Sequence, residues 1–190
     1  MELLSVDKSI EEEIPLITAG CMALKGLSIH PQVIDSLLRD NNFSDLVLDN
    51  VLDISNYASA IGFIGVCNQH KFKMLTGSIV FALANFLLKR VVNKEGFFAE
   101  DIEINQLCLK LDEMFAKQKQ AKNLALFIKE VYFELNEMKM LATDNEAFIY
   151  LIVNFYLFTC KNSVLIYPAP SNDIQSNFSD LTDWVLNWEG

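Results

Sequence analysis

The sequence is poor in the residues on which most enzymes and metal proteins depend. It has 2 histidines in 190 residues, and neither belongs to an HExxH, an ExxH or a Cys/His cluster. Zinc and di-iron sites therefore have no ligand set to build on. There is no GxGxxG and no GxxxxGKS/T, so the glycine-rich loops that cradle phosphates are absent. The "GFIG" at 62–65 is too short to serve as one. No cofactor is expected. Glycine and proline are scarce, at 7 and 4, which excludes loop-rich and low-complexity architectures.

Positive charge is also in deficit. Lys and Arg number 15 against 25 Asp and Glu, a net charge of −10. Phosphate backbones need a basic surface, so nucleic acid is excluded as a ligand. A protein with a basic surface is the partner this charge admits. Long apolar runs are missing too. The longest are "AFIYLIVNFYLFTC" from Ala147 to Cys160 and "SIVFALANFLL" from Ser78 to Leu88. Both fall short of the roughly 20 residues a helical membrane span requires, so no span is expected. The opening "MELLSVDKSIEEE" has no basic n-region and no apolar h-region of a signal peptide. The expected location is cytoplasmic, in a bacterium or, for a secreted effector, in the host cytosol.

Cys21, Cys67, Cys108 and Cys160 lie far apart with no CxxC, each in an apolar or amphipathic stretch. They read as reduced core residues. Cys67 and His70, three residues apart at a helix end, are the one nucleophile pair the spacing offers, and a single Cys near a single His is a weak motif. The chain is expected not to be an enzyme.

What is present is helical signal. The composition is 52% hydrophobic and 21% charged, enough for one sizeable core. Pro31 suits a first helical position, and Gly26 and Gly96 suit helix ends. Ile104, Leu107, Leu111 and Met114 form one apolar stripe; Leu124, Phe127, Val131, Leu135 and Met138 form another. The short polar "KQKQAK" between them predicts an antiparallel helix pair. Thr143 and Glu146 resemble a capping box before the 147–160 run. "YASAIGFIGVC" at 57–67 places Ala58, Ala60, Gly62 and Gly65 on a helix, which predicts close helix–helix packing. The expected fold is all-α: one domain over 1–190, a compact bundle of about six to eight helices around two apolar central helices, 79–92 and 147–160. Prolines at 168 and 170 make 162–170 an extended connector, leaving 171–190 as a C-terminal amphipathic helix.

The pentapeptide "NFSDL" occurs twice, at 42–46 and 177–181. The likeness ends after five residues, so it is not a structural repeat. Each copy reads as a helix start, with Ser44 or Ser179 as N-cap and the following aspartate at the positive end of the helix dipole. In the first copy Phe43 and Leu48 stand where a hydrophobic staple would form. Charge adds to this. Residues 1–70 carry 10 acids and 3 bases, 71–161 carry 11 and 12, and 162–190 carry 4 and none. Asp45, Asp49 and Asp53 follow at four-residue spacing, an acidic row suited to steering a basic partner. In the tail, Asp180 and Asp183 accompany Trp184 and Trp188, an acidic-aromatic helix suited to a groove on another protein. The same aromatics would equally serve a homodimer.

These features predict a non-catalytic acidic protein-binding module, most concretely an immunity protein or inhibitor that occludes a basic toxin or nuclease. A secreted effector or viral modulator of a host protein fits the same features. A different class, a small-molecule or lipid binder or an enzyme with an apolar pocket between helices, is the alternative.

Overall fold

The computed structural model describes residues 2–5, 9–43, 46–72, 75–87, 104–117, 124–139, 141, 144–161 and 163–167. Strand β1 (Glu2–Ser5) leads to a 3-10 helix (Ile10–Glu13) and then to α1 (Ile14–Leu24), α2 (Pro31–Asp40) and α3 (Leu48–Gln69). Next come α4 (Gly77–Leu87), α5 (Ile104–Lys117), α6 (Leu124–Met138), α7 (Asn145–Lys161) and β2 (Ser163–Ile166). The protein is an all-α bundle of seven α-helices among the described residues, with one short two-stranded sheet. No helix among them is long and apolar enough to cross a membrane.

α7 is the centre of the bundle. Every residue from Ala147 to Thr159 is buried. Its aromatic and β-branched content would suit a strand, but neighbours on every side let a helix bury all of it. α3, α4, α6 and α1 pack around it. α4 packs on α3, α5 and α7, burying Ile79, Val80, Leu83, Ala84 and Leu87 and leaving Ser78 and Phe81 exposed. Val131 and Leu135 of the α6 stripe are buried, and Met114 of α5 packs on the core. Lys110 and Glu134 form an ion pair between α5 and α6.

Local chemistry sets the helix ends. Gly26 stops α1 with φ of 79°, and Gly26 and Leu27 donate to the Ala23 and Met22 carbonyls at 2.8 and 2.9 Å. That is the left-handed C-terminal turn for which glycine is favoured. Pro31 opens α2, with His30 as N-cap accepting from the Gln32 N–H through Nδ1 at 3.4 Å. The first bond of α7 runs from the Phe148 N–H to the Asp144 carbonyl, which places Asp144 as its cap residue; Thr143 and Gly96 lie outside the described residues.

Three expectations are corrected or sharpened. The first "NFSDL" does not start its helix. α3 begins at Leu48 after Val47, with no side-chain cap, and just before it the Leu46 N–H donates to the Phe43 carbonyl at 3.2 Å. Phe43 and Leu48 are both exposed, so the staple buries nothing. The second is sharpened and not overturned: within the extended connector, Ser163–Ile166 is a strand, antiparallel to β1, with Leu3 opposite Leu165. Side chains of α7 stand in for the missing neighbour strand. The Leu165 N–H donates to Asn154 Oδ1 at 2.7 Å, and the Leu165 carbonyl accepts from the Tyr150 hydroxyl at 2.7 Å. That same hydroxyl accepts from the Tyr167 N–H at 3.1 Å. Both backbone groups of Leu165 thus face α7, and the flanking residues are left to pair with β1. The third concerns the small residues of α3. Gly65 is packed as expected, but Gly62 faces outward, and a Cβ there would meet nothing within 4 Å.

Candidate functional site

An open groove of about 440 Å³ runs between the start of α1 and the outer side of α2. The sequence builds its two walls locally. On one, Ser9 Oγ accepts from the Glu11 N–H at 3.2 Å and caps the 3-10 helix. This sets Glu11, Glu12 and Glu13 at a helix start, where the dipole favours acids, and Pro15 follows in the first turn of α1. Partial burial, then the charge of Glu12, push the Glu13 carboxyl above its ordinary range. On the other wall α2 buries Ile34 and Leu37 and turns Asp35, Leu38 and Arg39 outward.

Ile14, Pro15 and Leu38 make the apolar part of the groove; Glu11, Glu12, Asp35 and Arg39 make the charged part. Arg39 Nε holds Asp35 Oδ1 at 2.7 Å, one turn apart on α2. Both side chains are well exposed, so this pair is weak and exchangeable. Three carboxylates against one guanidinium leave the groove net acidic.

The residues singled out from the sequence divide. Asp49 is exposed in the first turn of α3. Asp53 is buried, and its carboxylate meets Lys25 Nζ at 2.8 Å. The expected acidic row is therefore not one solvated face: helix packing turns Asp53 inward, where it serves the fold. Asp45, Asp180, Asp183, Trp184 and Trp188 lie outside the described residues.

Lys25 also meets Asp144 Oδ1, at 3.3 Å. The triad ties the end of α1 to α3 and to the start of α7. Burial works to lower the Lys25 pKa, but Asp53 and Asp144 outweigh it and the net shift is upward. Sequence reading missed this triad, although Lys25 is one of only 3 bases in the first 70 residues, and a lone base in an apolar stretch is a signal that a carboxylate must meet it. The "EEE" run at 11–13 was the corresponding signal for the groove.

The Cys67–His70 pairing gains nothing from the geometry. Cys67 is buried, and burial pushes its thiol up, the reverse of what an attacking thiolate requires. The exposed His70 ring lies 6.4 Å from the Phe72 ring, centroid to centroid. Burial likewise pushes the Cys21 thiol far up. No group of His, Cys, Asp and Glu among the described residues is arranged to hold a metal. No family model, curated protein or solved structure matches the chain.

Proposed function

We propose that this chain is a non-catalytic, acidic protein-binding module that occludes a basic partner, most concretely as an immunity protein or inhibitor of a basic toxin or nuclease. The observation that carries this reading is the groove between the start of α1 and α2. Its lining is part apolar, through Ile14, Pro15 and Leu38, and part acidic, through Glu11, Glu12 and Asp35. A segment bearing Lys or Arg beside an apolar residue is the ligand class such a groove suits. An incoming guanidinium can exchange with Arg39 at Asp35, because an exposed ion pair holds only about 0–1 kcal/mol. The net charge of −10 favours the same partner at longer range by steering its approach.

Glu11→Gln/Glu12→Gln tests the reading without touching a buried residue. The parent and the variant serve as paired baits against candidate basic toxins at low and high sodium chloride. The expected partner binds the parent, is released by salt, and is held several-fold less well by the variant. Equal retention by both chains would remove the groove from the reading. Binding indifferent to salt would sink its electrostatic basis.

A further inference from the structure

More than half of the large apolar side chains exposed among the described residues fall in one stretch: Phe43, Val47, Leu48, Leu52, Val66 and Phe72. They belong to α3 and its two ends. α3 buries one side on α1, α4 and α7. On its other side Leu48, Leu52, Ser55, Ser59, Gly62 and Val66 follow at three- and four-residue spacing and share one face. That face holds no Asp, Glu, Lys or Arg along a helix of 22 residues. Leu48 is 71% exposed, Leu52 40% and Val66 47%. A solvated helix face is normally polar or charged. Gly62 on it is a cost to the helix, and no close packing among the described residues requires it, since a Cβ there would meet nothing within 4 Å.

The order of bulk along this face is self-complementary. Leu52 and Val66 are equidistant in sequence from Ser59, with small Ser55 and Gly62 between. Leu48 and His70 are equidistant from it as well. We infer that α3 is a self-association surface, on which a second copy of this chain docks its own α3 antiparallel about a two-fold axis at Ser59. Such an isologous contact sets each Leu52 beside the other copy's Val66, and lets the backbones approach closely at the serines and Gly62. It also sets Leu48 of each copy beside the second copy's His70, twice over.

The area fits a reversible dimer. A helix of 22 residues is about 33 Å long, and a strip about 10 Å wide along it offers on the order of 300 Å². At its ends Phe43 is 52% exposed, Val47 64% and Phe72 53%. Each adds on the order of 100 Å², and the antiparallel arrangement brings the 43–48 end of one copy over the 66–72 end of the other. A pair then buries roughly 1,200 Å², the lower end of the range for specific interfaces. Two chains of net charge −10 repel one another, and salt screens that repulsion. Self-association therefore strengthens with salt, whereas binding of a basic partner in the groove weakens. The two ideas fail independently.

Sedimentation of the full chain from low to high micromolar concentration tests the inference. The expected mass rises from 21.6 kDa toward twice that value, at lower concentration in high salt. Ser59→Lys and Ser59→Glu each set like charges across the two-fold axis. Each should weaken association more than about tenfold while the circular dichroism spectrum stays that of the parent. Mixing the two variants should restore the dimer, because residue 59 faces itself. Ser59→Cys should form a covalent dimer on mild oxidation where the parent does not. A monomer at every concentration overturns the inference. So does a dimer that neither charge variant weakens, or one in which Ser59→Cys fails to cross-link, since residue 59 is then not on the axis.

Discussion

Gly20 of α1 lies against the Tyr150 ring of α7 so closely that a Cβ on it would stand 2.8 Å from the tyrosine hydroxyl. That hydroxyl is not free to move aside. It donates to the Leu165 carbonyl at 2.7 Å and accepts from the Tyr167 N–H at 3.1 Å. Gly20→Ala gains up to about 1 kcal/mol of helix propensity but must displace a buried, twice-bonded group, which costs about 1–3 kcal/mol. The expected outcome is a net loss of stability in urea denaturation. Tyr150→Phe should destabilise by about 1–3 kcal/mol, because two buried backbone groups lose their partner. A Gly20→Ala chain as stable as the parent would show that the α1–α7 contact gives way easily.

Stability should fall on the alkaline side. Burial, with smaller contributions from neighbouring groups, pushes the Tyr150 phenol and the Cys21 thiol above their ordinary values of 10.0 and 9.0. For Lys25, burial acts downward, but Asp53 and Asp144 outweigh it and raise the pKa above 10.5. All three have folded-state values above their unfolded ones. Each contribution is whole below the unfolded value and is lost as pH rises toward the folded one. The urea midpoint should be steady around neutrality, begin to drop near pH 9.0 and fall more steeply past 10.5. In Tyr150→Phe the decline should be shallower, though the starting midpoint is lower. A midpoint that rises with pH in that window would reverse the sign assigned to these groups.

What could be read from the sequence was what depends on near neighbours. The Pro31 start of α2, the Gly26 stop of α1 and the helical state of 147–160 all follow from chemistry within a few residues. Asp53 was misread because its relation to Asp49 is local while its burial is not: the bundle draws a boundary between two residues one turn apart. β1 had no local signal, since its 4 residues pair with a strand far along the chain that Tyr150 and Asn154 hold by its backbone. The groove likewise depends on where α2 comes to lie against α1, which no spacing within either helix reveals. The exposed α3 face was half visible. Its small residues were noticed, but periodicity does not say which of two glycines three residues apart faces the core.

The Lys25 triad sets a limit on how far the acidic surface can be altered. Asp53 is buried and lies 2.8 Å from Lys25, with Asp144 meeting the same ammonium at 3.3 Å. Asp53→Asn leaves Lys25 one carboxylate, so the loss is smaller than the 3–5 kcal/mol of a fully orphaned buried charge. About 1–2 kcal/mol is expected, read as a lower urea midpoint. Asp49→Asn, exposed and four residues earlier, should change stability by less than about 0.5 kcal/mol. Equal effects at the two positions would mean that Asp53 is solvated after all.

Gly62 and Gly65 provide the sharpest contrast on one helix. Their propensity cost is the same, about 0.8–1 kcal/mol each relative to alanine. A Cβ on Gly62 would meet nothing within 4 Å, whereas one on Gly65 would stand 2.8 Å from Ile10 Cγ2. Ile10 is 2% exposed and sits at the start of the 3-10 helix, which packs on α3. Gly62→Ala should therefore stabilise the isolated chain by about 0.5–1 kcal/mol. Gly65→Ala should lose that gain and more, since the 3-10 helix must be pushed outward to admit the methyl group, for a net cost of about 1–2 kcal/mol. Denaturation at low micromolar concentration, where self-association is minor, checks both. Because the 3-10 helix carries Glu11 and Glu12, Gly65→Ala should also disturb the groove, and a basic ligand should bind it more weakly than it binds Gly62→Ala. If Gly62→Ala were the destabilising change of the two, the outward face of α3 would have been assigned to the wrong side of the helix, and the self-association surface would go with it.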